Sequence, residues 1–247
     1  DCPLAVQVGL RGSACATDID AVAIAPYFAN YTNVPVNQDE IQGWTLEQLF
    51  AELTEGGQLQ DTPPDVATPC TENFPPVPIQ PCPISALEEV MPWTTAHKSA
   101  ADARGLRLVA YEGGQHLVGV FGVENDQAIT DLFIGANRDA RMKPIYESYL
   151  ASWKDNGGEL FALFGLSGTY TRFGSWGIVE RLGQTPRPPK AQAILDFNAA
   201  HPCWWPDCGS GAPPPPPPTC TPAQLLGDPG LEATTFAGGA ASNPSWT

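Results

Sequence analysis

Positive charge is the scarcest thing in this chain. Lys and Arg together number 12 against 27 Asp and Glu, for a net charge of -15. A chain so short of cations carries no basic stripe, and this excludes a nucleic-acid partner. No run approaches the 18 apolar residues of a membrane span, so no span is expected. An N-terminal signal peptide is missing too. The chain opens on Asp1-Cys2-Pro3 rather than Met and runs at once into the strand-like LAVQVGL at 4–10, which reads as a chain cut upstream. No CxxC and no paired His spacing occurs, so a zinc site is not expected. EF-hand spacing is also missing from the acidic stretch around Glu124, Asp126 and Asp131, which reads as a solvated face rather than a calcium loop. No metal and no cofactor is expected.

What is present is a globular composition, 43% apolar, with seven Cys, 27 Pro and 24 Gly. Cysteines in a weakly charged, Pro- and Gly-rich chain point to an oxidising compartment, hence to an extracellular protein. Cys2 with Cys15, Cys70 with Cys82 and Cys203 with Cys208 are the local pairs. Cys220 is left over, and a partner missing from the chain is the preferred reading.

Short apolar runs recur at strand length: 4–10, 20–28 (DAVAIAPYF), 106–112 and 159–166 (ELFALFGL). Between them the pattern turns helical. WTLEQLFAEL at 44–53 has apolar residues at 46, 49, 50 and 53. Ser85 with Glu88 makes a capping box for a helix to about Arg104, with Pro92 as a kink or break. Residues 139–155 form an amphipathic helix closed by Asn156-Gly157-Gly158. A last helix spans 190–200. Residues 58–83, rich in Pro, read as a long rim loop, and 117–137 as a loop with partial helical pattern. Strands alternating with helices imply an α/β fold with a parallel sheet and crossover helices.

Residues 106–116, LRLVAYEGGQH, are the centre of the chain. The apolar run stops at Glu112, and Gly113-Gly114 leave the backbone free to turn above that carboxylate. His116 follows on the same rim. Chemistry in α/β barrels sits at the C-terminal ends of strands, and Tyr27 and Asn30 lie at the matching end of 20–28. A strand-ending Glu that merely faces water is the competing reading. His116 as a loop-packing residue and Tyr170 and Trp176 as loop core compete in the same way with ligand contact. Glu159, at a strand start, reads as structural, and Trp44 and Trp93 read as packing.

With those residues in view, 1–202 resembles the C-terminal half of a clan A glycoside-hydrolase (β/α)8 TIM barrel. The likeness is strongest over 21–28, 106–117 and 159–179, which resemble strands six, seven and eight; 4–10 would be strand five. The resemblance implies a retaining hydrolase of glycosidic bonds acting on a polysaccharide or oligosaccharide. Glu112 would be its nucleophile, Tyr27 the tyrosine that contacts that carboxylate, and Trp176 the aromatic floor of the sugar site. Asn30, His116 and Tyr170 join them as substrate-binding candidates. Such a reaction needs a second carboxyl about 5–5.5 Å from the first. In the clan that acid/base Glu follows strand four, so it is expected upstream of this chain, and the chain alone is expected to be inactive. The alternative is a non-catalytic extracellular polysaccharide-binding or cell-surface protein with a degenerate barrel.

After His201 the composition changes. Residues 203–219 hold the CWWPDC loop and the six-proline run at 213–218, a stiff extended spacer. In 220–247, QLLGDPGLE resembles the opening of a β-sandwich carbohydrate-binding module. An incomplete β segment is expected there, since so short a piece cannot bury a core. The sequence leaves the oligomeric state open.

Overall fold

The structure, a computed structural model, describes residues 20–59, 84–206 and 208, with 235–237 and 240–242 in the tail. The strand expected at 4–10, the rim loop at 58–83, the cysteine pairs Cys2–Cys15 and Cys70–Cys82, Cys220 and the proline run lie outside the described residues. The chain divides into two compact units, Asp1–Trp204 and Trp205–Thr247.

The first unit mixes helix and strand. Strand β1, Ala21–Ile24, pairs in parallel with β2, Arg107–Ala110, in the register Val22 to Leu108 and Ile24 to Ala110. A parallel pair needs a crossover, and it includes α1 (Gln38–Ile41), α2 (Leu46–Thr54) and α3 (Ala86–Asp102). The residues expected to form a third strand, 159–166, run parallel along the far side of β2. Ala110 bridges Phe161, Glu159 N–H donates to Leu108 O, and Phe164 N–H donates to Gly113 O. The three of the four expected strands that fall within the described residues are therefore neighbours, although the last forms isolated bridges rather than a continuous ladder.

Both capping boxes hold their helices. Thr45 accepts from Gln48 N at 3.3 Å ahead of α2, and Ser85 accepts from Glu88 N at 3.1 Å ahead of α3. Each is worth about 1 kcal/mol. Pro92 does not interrupt α3, which is continuous through it. Between β2 and residue 159 lie α4 (Gln127–Arg138) and α5 (Met142–Asp155), and α6 (Pro189–Ala200) closes the unit. Helix α4 departs from the loop expected over 117–137. Asp126 accepts from Ala128 N and Ile129 N, and Ile129, Phe133 and Ala136 form one buried face.

The core lies on one side of the strands. Val22, Leu108 and Ala110 point towards Ala101 of α3 and Trp153 of α5, with Phe161 packed beside them. Trp153 is buried, and its indole N–H donates to Glu159 O at 2.9 Å. A Cβ on Gly158 would sit 2.1 Å from that indole, so only glycine lets the chain pass it. The other face of the strands is different. Ala23, Tyr111, Leu160, Ala162, Phe164 and Leu166 are exposed. Parallel strands are normally covered on both faces; among the described residues, helices cover only one here.

In the second unit Thr235–Ala237 (β3) and Ala240–Ser242 (β4) form an antiparallel pair. Cys203 and Cys208 are joined by a disulfide, as their spacing suggested.

Candidate functional site

The rim above β1 and β2 is built by a bulge. Ile24 pairs with Ala110, and Phe28 next pairs with Gln115. Four steps along the first chain thus match five along the second, and the extra residue falls in the Tyr111-Glu112-Gly113-Gly114 stretch. A bulge re-aims the side chain it carries and requires a permissive backbone. Gly114 supplies it with φ +142°. Gly113 is needed for a different reason. A Cβ there would meet the Phe161 ring at 2.6 Å and the Tyr149 hydroxyl at 2.9 Å. Beyond the bulge the pairing resumes, with Phe28 N–H donating to Gly114 O at 3.1 Å and His116 N–H to Phe28 O at 2.9 Å.

These bonds bring four of the sequence candidates together. The Tyr27 phenol lies close enough to the half-buried Glu112 carboxylate to feel its charge. Burial first, then the Glu112 charge, pushes the Tyr27 phenol well above its ordinary value, so Tyr27 keeps its proton. His116 lies edge-on to Tyr27 at 5.4 Å between ring centroids, and Trp176 lies 5.2 Å from His116 and 5.8 Å from Tyr27. Phe164 packs on the far side of Trp176 at 5.6 Å. The result is a partly exposed aromatic wall next to a carboxylate. Asn30 is exposed beside this group, and with Tyr27 it lines a cleft of about 380 Å³ closed opposite by Trp93 and His97 of α3.

Tyr170 is placed otherwise. It is only 6% exposed, its hydroxyl donates to Gly177 O at 2.9 Å, and Lys190 Nζ sits 4.6 Å over its ring. It belongs to the packing beneath the 167–179 loop. Glu159, in line with its structural reading, faces Arg107 at the opposite end of the strands, 3.8 Å away.

Comparison with protein-family models, with curated proteins and with solved structures finds no match. The site therefore stands on its own geometry.

Three residues that sequence reasoning passed over hold this geometry. Gln115 is buried; its Nε2 donates to Ser175 O at 3.1 Å and its Oε1 accepts from Leu117 N at 2.6 Å. Lys190 is wholly buried, and its Nζ donates to the same Ser175 O at 2.6 Å and to Asn137 Oδ1 at 2.9 Å. Two donors thus fix the carbonyl directly before Trp176. The Trp176 indole is tied down separately, donating to Phe173 O at 2.8 Å. Asn33 is buried and donates through Nδ2 to both His116 Nδ1 and, at 3.2 Å, His116 O. Burial holds the His116 imidazole below its ordinary pKa.

Among the described residues no group of three or more His, Cys, Asp and Glu side chains is arranged to hold a metal ion. The chemistry available to the cluster is that of a carboxylate with a phenol donor, an imidazole and an indole face.

Proposed function

We propose that this chain contributes the nucleophile half of a retaining glycoside hydrolase, with Glu112 attacking the anomeric carbon of a polysaccharide or oligosaccharide. The observation that carries the reading is Glu112 itself. It lies in a bulge at the C-terminal end of the middle of three parallel segments, with the Tyr27 phenol near it and His116 and Trp176 against the Tyr27 ring. A nucleophilic carboxylate needs a donor that keeps it oriented, and we assign that part to the protonated Tyr27 phenol. A sugar ring presents C–H groups on its faces, and the indole of Trp176 offers a matching apolar surface.

The uncovered strand face is compatible with a half-barrel whose remaining strands come from elsewhere. The second carboxyl of a two-carboxylate mechanism is then part of that complement. The extracellular setting and the carbohydrate-binding reading of 220–247 belong to the same proposal; the Cys203–Cys208 disulfide supports the former.

The test does not depend on the second carboxyl. 2,4-Dinitrophenyl 2-deoxy-2-fluoro-glycosides of gluco, galacto, manno and xylo configuration carry a leaving group that departs without protonation. The chain is incubated with each, and peptides are searched by mass spectrometry for a glycosyl adduct. We expect one sugar to label Glu112 and no label in Glu112→Gln. A label on another carboxylate moves the chemistry away from Glu112. Binding of polysaccharide without any label favours the non-catalytic binding protein.

A further inference from the structure

Asn33 and His116 form a unit that the nucleophile reading does not require. The two residues are far apart in sequence and meet because the rim pairs Phe28 with Gln115 and His116 N–H with Phe28 O. Asn33 is 2% exposed. Its backbone carbonyl accepts from Val120 N at 3.1 Å, which anchors it from behind. The side-chain atom that faces His116 O must be a donor, because a backbone carbonyl only accepts. The network therefore fixes that atom as the amide nitrogen. The same nitrogen reaches His116 Nδ1. Nδ1 must then accept, and an imidazole that accepts at Nδ1 carries its proton on Nε2. No described residue takes a hydrogen bond from Nε2, although the ring sits between Tyr27 and Trp176 at the aromatic wall.

We propose that Asn33 is a positioning residue that locks His116 in its Nε2–H tautomer, a fixed neutral donor to an oxygen of a bound saccharide. The saccharide part rests on the site reading above; the lock does not. The lock also assigns a negative role. Protonating Nδ1 would cost His116 its bond from Asn33, so His116 donates a hydrogen bond and does not transfer a proton as the general acid. Asn33 acts only through His116.

The experiment is long-range proton–nitrogen correlation spectroscopy on the nitrogen-15-labelled chain. There are only three histidines, and His116 is assigned by the signals lost in His116→Gln. In the parent at neutral pH we expect a protonated Nε2 and a bare Nδ1. In Asn33→Asp the carboxylate can only accept, and the proton moves to Nδ1. In Asn33→Leu the single tautomer gives way to a mixture. A merely structural Asn33 would change thermal stability and leave the tautomer alone. Since the parent spectrum is itself decisive, a variant that fails to fold does not rescue the proposal. An Nδ1–H or doubly protonated ring in the parent overturns the lock.

The donor role is read on the chain labelled by the 2-fluoro-glycosides. The His116 Nε2 resonance is expected to shift on labelling while Nδ1 stays in place. A labelled chain with both resonances unmoved overturns the donor role. A chain that shows the lock but takes no label overturns the glycosidase reading and the saccharide acceptor, and upholds the lock.

Discussion

On the proposed function, a hydrogen bond from Tyr27 to the neighbouring Glu112 is the interaction on which the chemistry would turn. A hydrogen bond to a charged group is worth about 1.5–3 kcal/mol. Tyr27 is part-exposed, so losing its hydroxyl should cost the fold little. Tyr27→Phe is therefore expected to slow labelling of Glu112 by the fluoro-glycosides by roughly tenfold or more, with an almost unchanged thermal midpoint. Equal labelling rates would show that Tyr27 is packing only. At this scale the sequence was legible where a residue type declares its chemistry: a Glu followed by two Gly at a strand end, a Tyr at the neighbouring strand end. It was silent on Asn33, Gln115 and Lys190. Their roles come from partners 83, 60 and 53 residues away, and no local pattern encodes such a meeting. Tyr170 misled for the converse reason. An aromatic in a Gly-rich loop looks available, and only the fold shows Lys190 stacked beneath it.

Among the elements, α4 shows what local reading misses and why. The stretch before it carries Gly119, Gly122 and a run of polar residues, which obscures the periodicity that follows. The start signal was nonetheless present in Asp126. Its carboxylate accepts from two backbone N–H groups and from Gln38 Nε2 at 3.1 Å. Desolvation pushes its pKa up, but these bonds outweigh it and the net shift is downward. Asp126→Ala removes the cap and should cost about 1 kcal/mol, read as a lower urea midpoint with unchanged m-value. Asp126→Asn keeps an acceptor and should recover most of the loss. If Ala and Asn variants behave alike, the cap is not what starts the helix. The strands were located to within a few residues, because their apolar runs are short and end at Pro26, Gly105 or Gly113. The third was expected as a full strand, yet only isolated bridges form. Only at its end does its outer edge gain a described backbone partner, where Ile178 N–H donates to Gly165 O and Val179 N–H to Leu166 O.

For the molecule as a whole, the buried ionisable groups set the response to pH. Two influences on Lys190 oppose one another. Burial disfavours the ammonium form, and the Glu180 charge favours it. Burial is the larger, since Glu180 acts only at a distance, and the amine is brought down to about 7. A neutral amine still has two N–H groups for its two acceptors. The unfolded chain holds this proton to about pH 10.4, so between those values it binds more protons than the folded chain and stability rises with pH. Tyr31, Tyr146 and Tyr149 act in the opposite sense above that range. Burial raises each, so the unfolded chain releases those protons near pH 10 while the folded chain keeps them, and stability falls. The unfolding free energy should therefore climb from pH 7 towards 9.5, by on the order of a few kcal/mol, and then decline. Lys190→Met should flatten the rising limb and leave the decline. A limb that survives the substitution would assign the rise to another group.

The rim bulge also has a meaning on the timescale of descent. The site depends on one surplus residue in the Tyr111–Gly114 stretch, and so on a single codon. Loss of one glycine codon would let the Ile24–Ala110 and Phe28–Gln115 pairs close into an ordinary ladder and abolish the bulge in which Glu112 sits. The buried strand residues Val22, Leu108 and Ala110 all precede the bulge and would keep their places. On the proposed function, one deletion thus separates a chain that cleaves from one that keeps the scaffold and only holds on.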